Sequence, residues 1–278
     1  MRSRIIVFFA VALVVTLFGT GRVIAQEHEH GERAQAHSHG GFPEYVDIFF
    51  THHAYLERKI HPRFEAVVAE PGNQYSESVE LVWRFNRWLG AEVEAAVIQT
   101  DPEVGEGASG FGDMEVAPIV AIHQDPERLL IVTARSGFVL PTGDEDEGLG
   151  VDGWGWEPGL LVWKGFGAER RGALQAELGY DRTFADEGED EEELVYNLGL
   201  SWWLPSNFIP VFELNGIVRL SEEAAPEEEE DTLISGTVGF RYAFANGQQW
   251  GGAVQFPFFG DTESYDWRLV VGGIIHLQ

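Results

Sequence analysis

Leu194-Val195-Tyr196-Asn197-Leu198-Gly199-Leu200-Ser201-Trp202-Trp203-Leu204 sets a large apolar side chain at every second position, with Asn197, Gly199 and Ser201 between them. Alternate side chains of a β-strand point to opposite faces, so this period of two reads as a strand with one apolar and one polar face. Its length, about ten residues, is what a tilted strand needs to cross the hydrocarbon core of a membrane. Two other stretches have the same form. Val79, Leu81, Trp83 and Phe85 oppose Ser78, Glu80, Arg84 and Asn86, and Tyr265, Trp267, Leu269, Val271, Ile275 and Leu277 oppose Asp266, Arg268, Gly272 and His276. Nine further runs lie near 60–69, 89–99, 112–123, 129–140, 154–163, 173–184, 208–220, 233–244 and 250–259. None reads as a long amphipathic helix, and the pattern predicts an all-β fold: a transmembrane, antiparallel, up-and-down barrel of twelve strands, of outer-membrane type.

The connections carry a second signal. Counted from a periplasmic N-terminus, the even turns are brief (86–87, 124–128, 165–172, 205–207 and 245–248). The odd ones are longer and acidic (100–110, 142–153, 185–193, 221–232 and 260–266), apart from a short first one around Glu70-Pro71-Gly72-Asn73. Those five long loops hold 25 Asp and Glu and no Lys or Arg, so nearly all of the net charge of −28 sits on one rim. Short turns on one side and long loops on the other is the bacterial outer-membrane pattern. A soluble all-β protein with its apolar face turned inward is the alternative, because alternation does not say which face is which. Uniform strand length and loops sorted by side favour the barrel. Lysine occurs only at Lys59 and Lys164, which suits a surface turned to lipid, and the absence of cysteine excludes disulfides and thiolate metal sites.

Upstream, Arg2 and Arg4 precede an apolar run from Ile5 to Phe18, and small residues lead to Ala25, the form of a secretory signal peptide over 1–25. Residues 26–58 form a leader, with the barrel domain over 59–278. Within the leader, His28, His30, His37 and His39 make a candidate weak site for Zn²⁺, Cu²⁺ or Ni²⁺, with a solvated flexible tail as the alternative of equal weight; apart from such a weakly bound divalent ion, no cofactor is expected. Phe42, Tyr45, Val46, Phe49 and Phe50 recur at helical spacing, which predicts a short amphipathic helix at the periplasmic mouth or inside the lumen.

No catalytic constellation emerges, and the protein is expected not to be an enzyme. Gly105-Glu106-Gly107-Ala108-Ser109-Gly110 matches a dinucleotide fingerprint only formally, since no helix follows it. By strand parity the pore-lining residues are Arg63, Glu65, Glu80, Arg84, Glu92, Glu94, Asp113, Glu115, Arg135, Arg219, Arg241 and Arg268, together with Glu157, Glu177, Asp181 and Glu213. Opposed charges of this kind can pair across the lumen or line a polar path. Arginine at the lipid-facing Leu198 or Val254 is expected to cost more than arginine at the inward Gly199 or Ala253.

Gly110-Phe111-Gly112-Asp113 and Leu140-Pro141-Thr142-Gly143-Asp144 resemble two motifs, Gly-x-Gly-Asp and Leu-Pro-Thr-Gly, of the outer-membrane barrels named for the MetA pathway of phenol degradation. The C-terminal His276-Leu277-Gln278 departs from the aromatic ending common in such barrels. The resemblance implies a transporter for aromatic or other hydrophobic compounds. The expectation is therefore a pore or transporter for small solutes in the outer membrane of a Gram-negative-type envelope. Its partners would be membrane lipids, the barrel-assembly machinery and a small-molecule solute, with no nucleic acid. The alternatives are a divalent-metal-handling envelope protein that uses the histidine leader, and a structural or adhesive barrel without transport.

Overall fold

The computed structural model describes residues 45–70, 72–167, 171–186, 190–220, 232–261 and 264–277. The stretch 1–25 read as a signal peptide, the leader histidines and most of the acidic stretch 221–232 lie outside the described residues.

The strands are β1 (Arg58–Val68), β2 (Gly72–Arg84), β3 (Leu89–Pro102), β4 (Ser109–Phe111), β5 (Met114–Asp125), β6 (Leu130–Leu140), β7 (Trp154–Phe166), β8 (Gly172–Phe184), β9 (Glu191–Trp202), β10 (Phe208–Arg219), β11 (Thr232–Ala243), β12 (Gln249–Gly260) and β13 (Trp267–His276). Both β4 and β5 pair with β3, so they form one stave broken at Gly112-Asp113. Every pairing is antiparallel, and β1 meets β13 with Lys59 opposite His276 and Val68 opposite Trp267. The sheet thus closes on itself as twelve staves, leaving no open edge in the membrane region. These are the twelve runs of alternation in the sequence. A single 3₁₀ turn, Glu145–Glu147, is the only helical element among the described residues.

The distribution of side chains is inverted relative to a soluble protein. Leu198, Phe212, Val238 and Phe256 stand on the outside at 49–60% exposure, whereas Arg241, Gln175, Gln249 and Thr133 are buried. Apolar area of this extent in water would forfeit roughly 25 cal/mol per Å², so the outer face needs lipid and the soluble alternative fails. Aromatic residues gather at both ends of the band. Trp154 stacks on Phe184 at 4.1 Å at the long-loop end, and Tyr242 meets Phe244 at 5.0 Å at the short-turn end. Such girdles suit the amphipathic membrane interface.

The lumen is filled by the chain's own N-terminal segment. Residues 45–57 enter from the short-turn mouth, bend at residues 49–51, and return to the start of β1. All four apolar clusters of buried residues include members of this segment. Tyr45, Ala54 and Tyr55 pack on Trp163, Ile48 and Phe49 on Val211, Leu56 on Val82, and Val46 on Ile209. The helix expected over 42–50 is absent from its described part, 45–50. The carbonyls that a helix would use internally are taken by the wall: Gln249 Nε2 donates to Tyr45 O and Gln175 Nε2 to Val46 O, both at 2.8 Å, and Arg241 donates to Asp47 O.

Candidate functional site

The luminal segment is a pinned hairpin. At its base, the rings of Tyr45 and Tyr55 stack at 4.1 Å, and Asp47 accepts from Tyr55 Oη and from Lys59 Nζ. Burial alone would raise the Asp47 carboxyl, but the adjacent Lys59 ammonium outweighs it and holds the group well below its usual range. The only lysine of the barrel interior is thereby committed to the plug.

At the bend, two carboxylates on staves separated only by β9 hold the backbone. Glu213 of β10 accepts from Phe49 N at 2.6 Å, Phe50 N at 3.0 Å and Thr51 Oγ1 at 2.9 Å. Glu177 of β8 accepts from His52 N at 3.0 Å and faces His52 Nδ1 at 2.7 Å, and Asn197 Nδ2 supports Glu177 at 2.9 Å. Charge-assisted bonds from backbone N–H groups are the strong kind, and here they replace the pairing that the bend lacks internally. Burial and the Arg135 charge disfavour protonation of His52, yet the Glu177 carboxylate prevails and raises its pKa to about 9.

Above the bend lies a cavity of about 230 Å³, bordered by Phe50, His52, Arg135, Glu177, Tyr265 and Arg268 among others. A polar ladder runs up one wall: Asn215 Nδ2 donates to Asn197 at 3.0 Å, Gln255 Nε2 to Asn215 at 2.9 Å, and Tyr265 Oη to Gln255 at 3.0 Å. These uncharged groups are absent from the expected lining set, although inward parity at Asn197, Asn215 and Gln255 was their signal in the sequence. Tyr265, grouped with the lipid face by alternation, instead turns inward, because β13 begins only at Trp267 and parity does not extend past a strand's first residue.

The charged lining residues separate into groups. Arg135 is the hub: its Nε donates to Glu92 at 2.9 Å, its Nη2 to Glu115, and its Nη1 lies 3.8 Å from Glu157. Arg63 donates to Glu65 at 2.6 Å, and a second, smaller cavity beside the plug is bordered by Arg63, Glu80, Glu92, Glu94 and Glu115. Arg241 is wholly buried against the plug, with its guanidinium 4.3 Å from the Phe49 ring. Arg268 lies over Tyr265 at 4.2 Å. Arg84 ends β2 at the short-turn mouth, and Arg219 ends β10 at the long-loop rim, 3.4 Å from Asp261.

Asp113 does not line the lumen. It sits in the break between β4 and β5, where its carboxylate accepts from Thr142 N at 2.9 Å, Gly143 N at 2.8 Å and Val151 N at 2.7 Å. Thr142 Oγ1 donates to Gly112 O at 3.1 Å, and a Cβ on Gly143 would come within 2.4 Å of Leu149 O. The motifs at 110–113 and 140–144 are therefore one knot that fastens the 142–153 loop over the rim. Nearby, Asp152 raises the carboxyl of Glu145, a local sign of the crowded negative charge on these loops.

A substitution expected to be mild also meets the plug. A Cβ on the inward Gly199 would lie 2.1 Å from Ile48 Cδ1, so the space that an empty bore would offer is already occupied.

Comparison with solved structures finds outer-membrane barrels of the same architecture. The outer membrane channel COG4313 of Pseudomonas putida F1 superposes with a TM-score of 0.60 at 12% identity, covering 84% of this chain and all of its own. The NanC porin gives 0.58 at 9% identity over 78% of this chain and all of the porin. The KdgM porin, solved with disordered oligogalacturonate, gives 0.53 at 12% identity over 79% of this chain and 99% of the porin. At these identities the likeness establishes the barrel architecture. Comparison with curated proteins gives no match. A family model matches residues 76–267, from within β2 to the first residue of β13 and including both rim motifs. The chain is an outer-membrane β-barrel and belongs to the family named for the MetA pathway of phenol degradation.

Proposed function

We propose that this protein is a gated channel, not an enzyme, which admits a small solute from the long-loop side to a site above the bend and passes it only when the luminal segment is displaced. The observation that carries the reading is the clasp of Glu213 and Glu177 on residues 49–52, which holds a piece of the chain across the bore. A cavity of about 230 Å³ falls below the ~300–1,000 Å³ of pockets for drug-sized ligands, so the occupant is small. Phe50 and Tyr265 offer ring faces while Arg268 and Asn215 offer donors, a mixture suited to a single aromatic ring bearing an oxygen substituent. The family's association with phenol degradation supports the same solute class.

Planar-bilayer recording of the purified protein tests this. Wild type is expected to show rare, brief openings, and a variant in which both Glu213 and Glu177 are alanine should show frequent openings of larger conductance. Equal conductance in the two proteins would remove the gating role. A silent bilayer in both would favour the structural barrel, for which the ion-pair network at Arg135, joining neighbouring staves β3, β5, β6 and β7, is the supporting observation.

A further inference from the structure

His53 hangs from the returning limb of the plug, Glu80 stands on β2 and Glu92 on β3. One ligand atom from each of the three lies within 4.8 Å of the other two. His53 Nε2 and Glu92 Oε1 face each other at 3.4 Å, yet neither has a hydrogen-bond partner, and the residues are only 6% and 4% exposed. Buried polar atoms are nearly always satisfied, so two of them left open toward one another mark a place where something else belongs. Two ligands of a tetrahedral ion bound at ~2.0–2.1 Å are separated by about 3.4 Å, which is the spacing found here.

The neighbouring charges point the same way. Lys59 is paired with Asp47, and Arg135 is shared among Glu92, Glu115 and Glu157, so neither is free to neutralise the cluster further. Each carboxylate is held through one oxygen: Glu80 Oε2 lies 3.3 Å from His61 Nδ1, and Glu92 Oε2 accepts from Arg135 Nε at 2.9 Å. That leaves each a second oxygen for an ion, with outer partners that fix its direction. His53, Glu80 and Glu92 all border the smaller cavity beside the plug, through which an ion and its water could reach them.

We propose that His53, Glu80 and Glu92 form a binding site for a divalent transition-metal ion, Zn²⁺ by donor type, that ties the plug to the barrel wall. One imidazole and two carboxylates suit Zn²⁺, with water completing the coordination. Binding itself is independent of what the barrel conducts; the role as a latch rests on the gated-channel reading.

The test uses the full chain in detergent, with His28, His30, His37 and His39 replaced by alanine so that the leader does not contribute. After chelator treatment, equilibrium dialysis against Zn²⁺ should show one ion per chain, and Co²⁺ in its place should give a visible d–d absorption band. His53→Ala, Glu80→Gln and Glu92→Gln should each weaken binding by more than about tenfold, since outer-shell partners alone are worth ~10–100-fold. Because His53→Ala also alters the plug, the two strand variants, checked for folding by heat-modifiable gel mobility, decide the assignment. No uptake in the leader-silenced protein, or uptake unchanged by both strand variants, would overturn it. Zn²⁺ should also reduce channel openings in wild type and not in Glu92→Gln; binding without that effect would leave the site standing and refute the latch.

Discussion

Replacing Glu213 by alanine removes the acceptor of three bonds at the bend and leaves Phe49 N, Phe50 N and Thr51 Oγ1 without it. A hydrogen bond to a charged group contributes roughly 1.5–3 kcal/mol, so three set an upper limit of ~5–9 kcal/mol. Water entering from the adjoining cavity restores part of this, and a net cost of about 3 kcal/mol to the docked plug is the working figure. At 1.4 kcal/mol per decade, the displaced population should rise roughly a hundredfold. The protein has no cysteine, so a single Ala54→Cys, at a position 1% exposed in the lumen, reports displacement through maleimide labelling. When opening and closing are fast, the labelling rate follows the open population. Glu213→Ala in that background should therefore label about a hundred times faster than its parent while the barrel keeps its heat-resistant gel mobility. A rate within threefold of the parent would show that the clasp does not hold the plug.

Leu198→Arg puts a charge on the lipid face and should destabilise the barrel by about 2–4 kcal/mol in denaturant unfolding. Gly199→Leu, one residue away, should instead leave the barrel folded and accelerate Ala54→Cys labelling, because its side chain would occupy the place of Ile48; matching unfolding curves for the two variants would refute the distinction. The His52–Glu177 pair predicts a pH dependence: His52 is raised above its ordinary value of 6.5, so its contribution is full below about 6.5 and is lost as pH rises through about 9. Labelling of Ala54→Cys, normalised to the rate at a fully exposed cysteine to remove the rise in thiolate fraction, should increase across that interval, and the normalised increase should vanish in His52→Ala. Finally, the acidic rim should make open channels cation-preferring at low salt and less so at 1 M, where the screening length falls to about 3 Å. Glutamine at Glu227, Glu228, Glu229 and Glu230 should weaken that preference in reversal-potential measurements; anion selectivity at low salt would contradict it.

Strand identity and face were legible because lipid imposes an apolar requirement at every second residue. The requirement ends where the membrane ends. Hence β2 starts at Gly72, well before the alternation at Ser78: its first residues stand at the rim, where Gln74 and Ser76 border an open recess with Arg63, Glu65 and Glu94 and nothing demands an apolar partner opposite them. Position 113 failed for a related reason, since parity counting assumes an unbroken strand and the chain breaks there. The apolar residues at 45–50 could not be read correctly by period at all. They touch the wall on several sides, Val46 toward Ile209, Ile48 and Phe49 toward Val211, Tyr45 toward Trp163, so their spacing reflects a bent chain in a ring of contacts. The hub at Arg135 needs the register of four staves around the barrel, which no single strand encodes.

The plug runs directly into Arg58, the first residue of the strand that meets β13 and seals the sheet. It is thus tethered at the mouth that it blocks, and once displaced it returns as an intramolecular partner. Short flexible tethers give effective concentrations on the order of millimolar, so reclosure needs no second molecule and does not slow on dilution. On the gated-channel reading, the same tether would limit how long an opening lasts. On that reading, too, a cell carrying the protein would keep a barrier by default and become permeable in brief intervals, each ended by the protein's own chain.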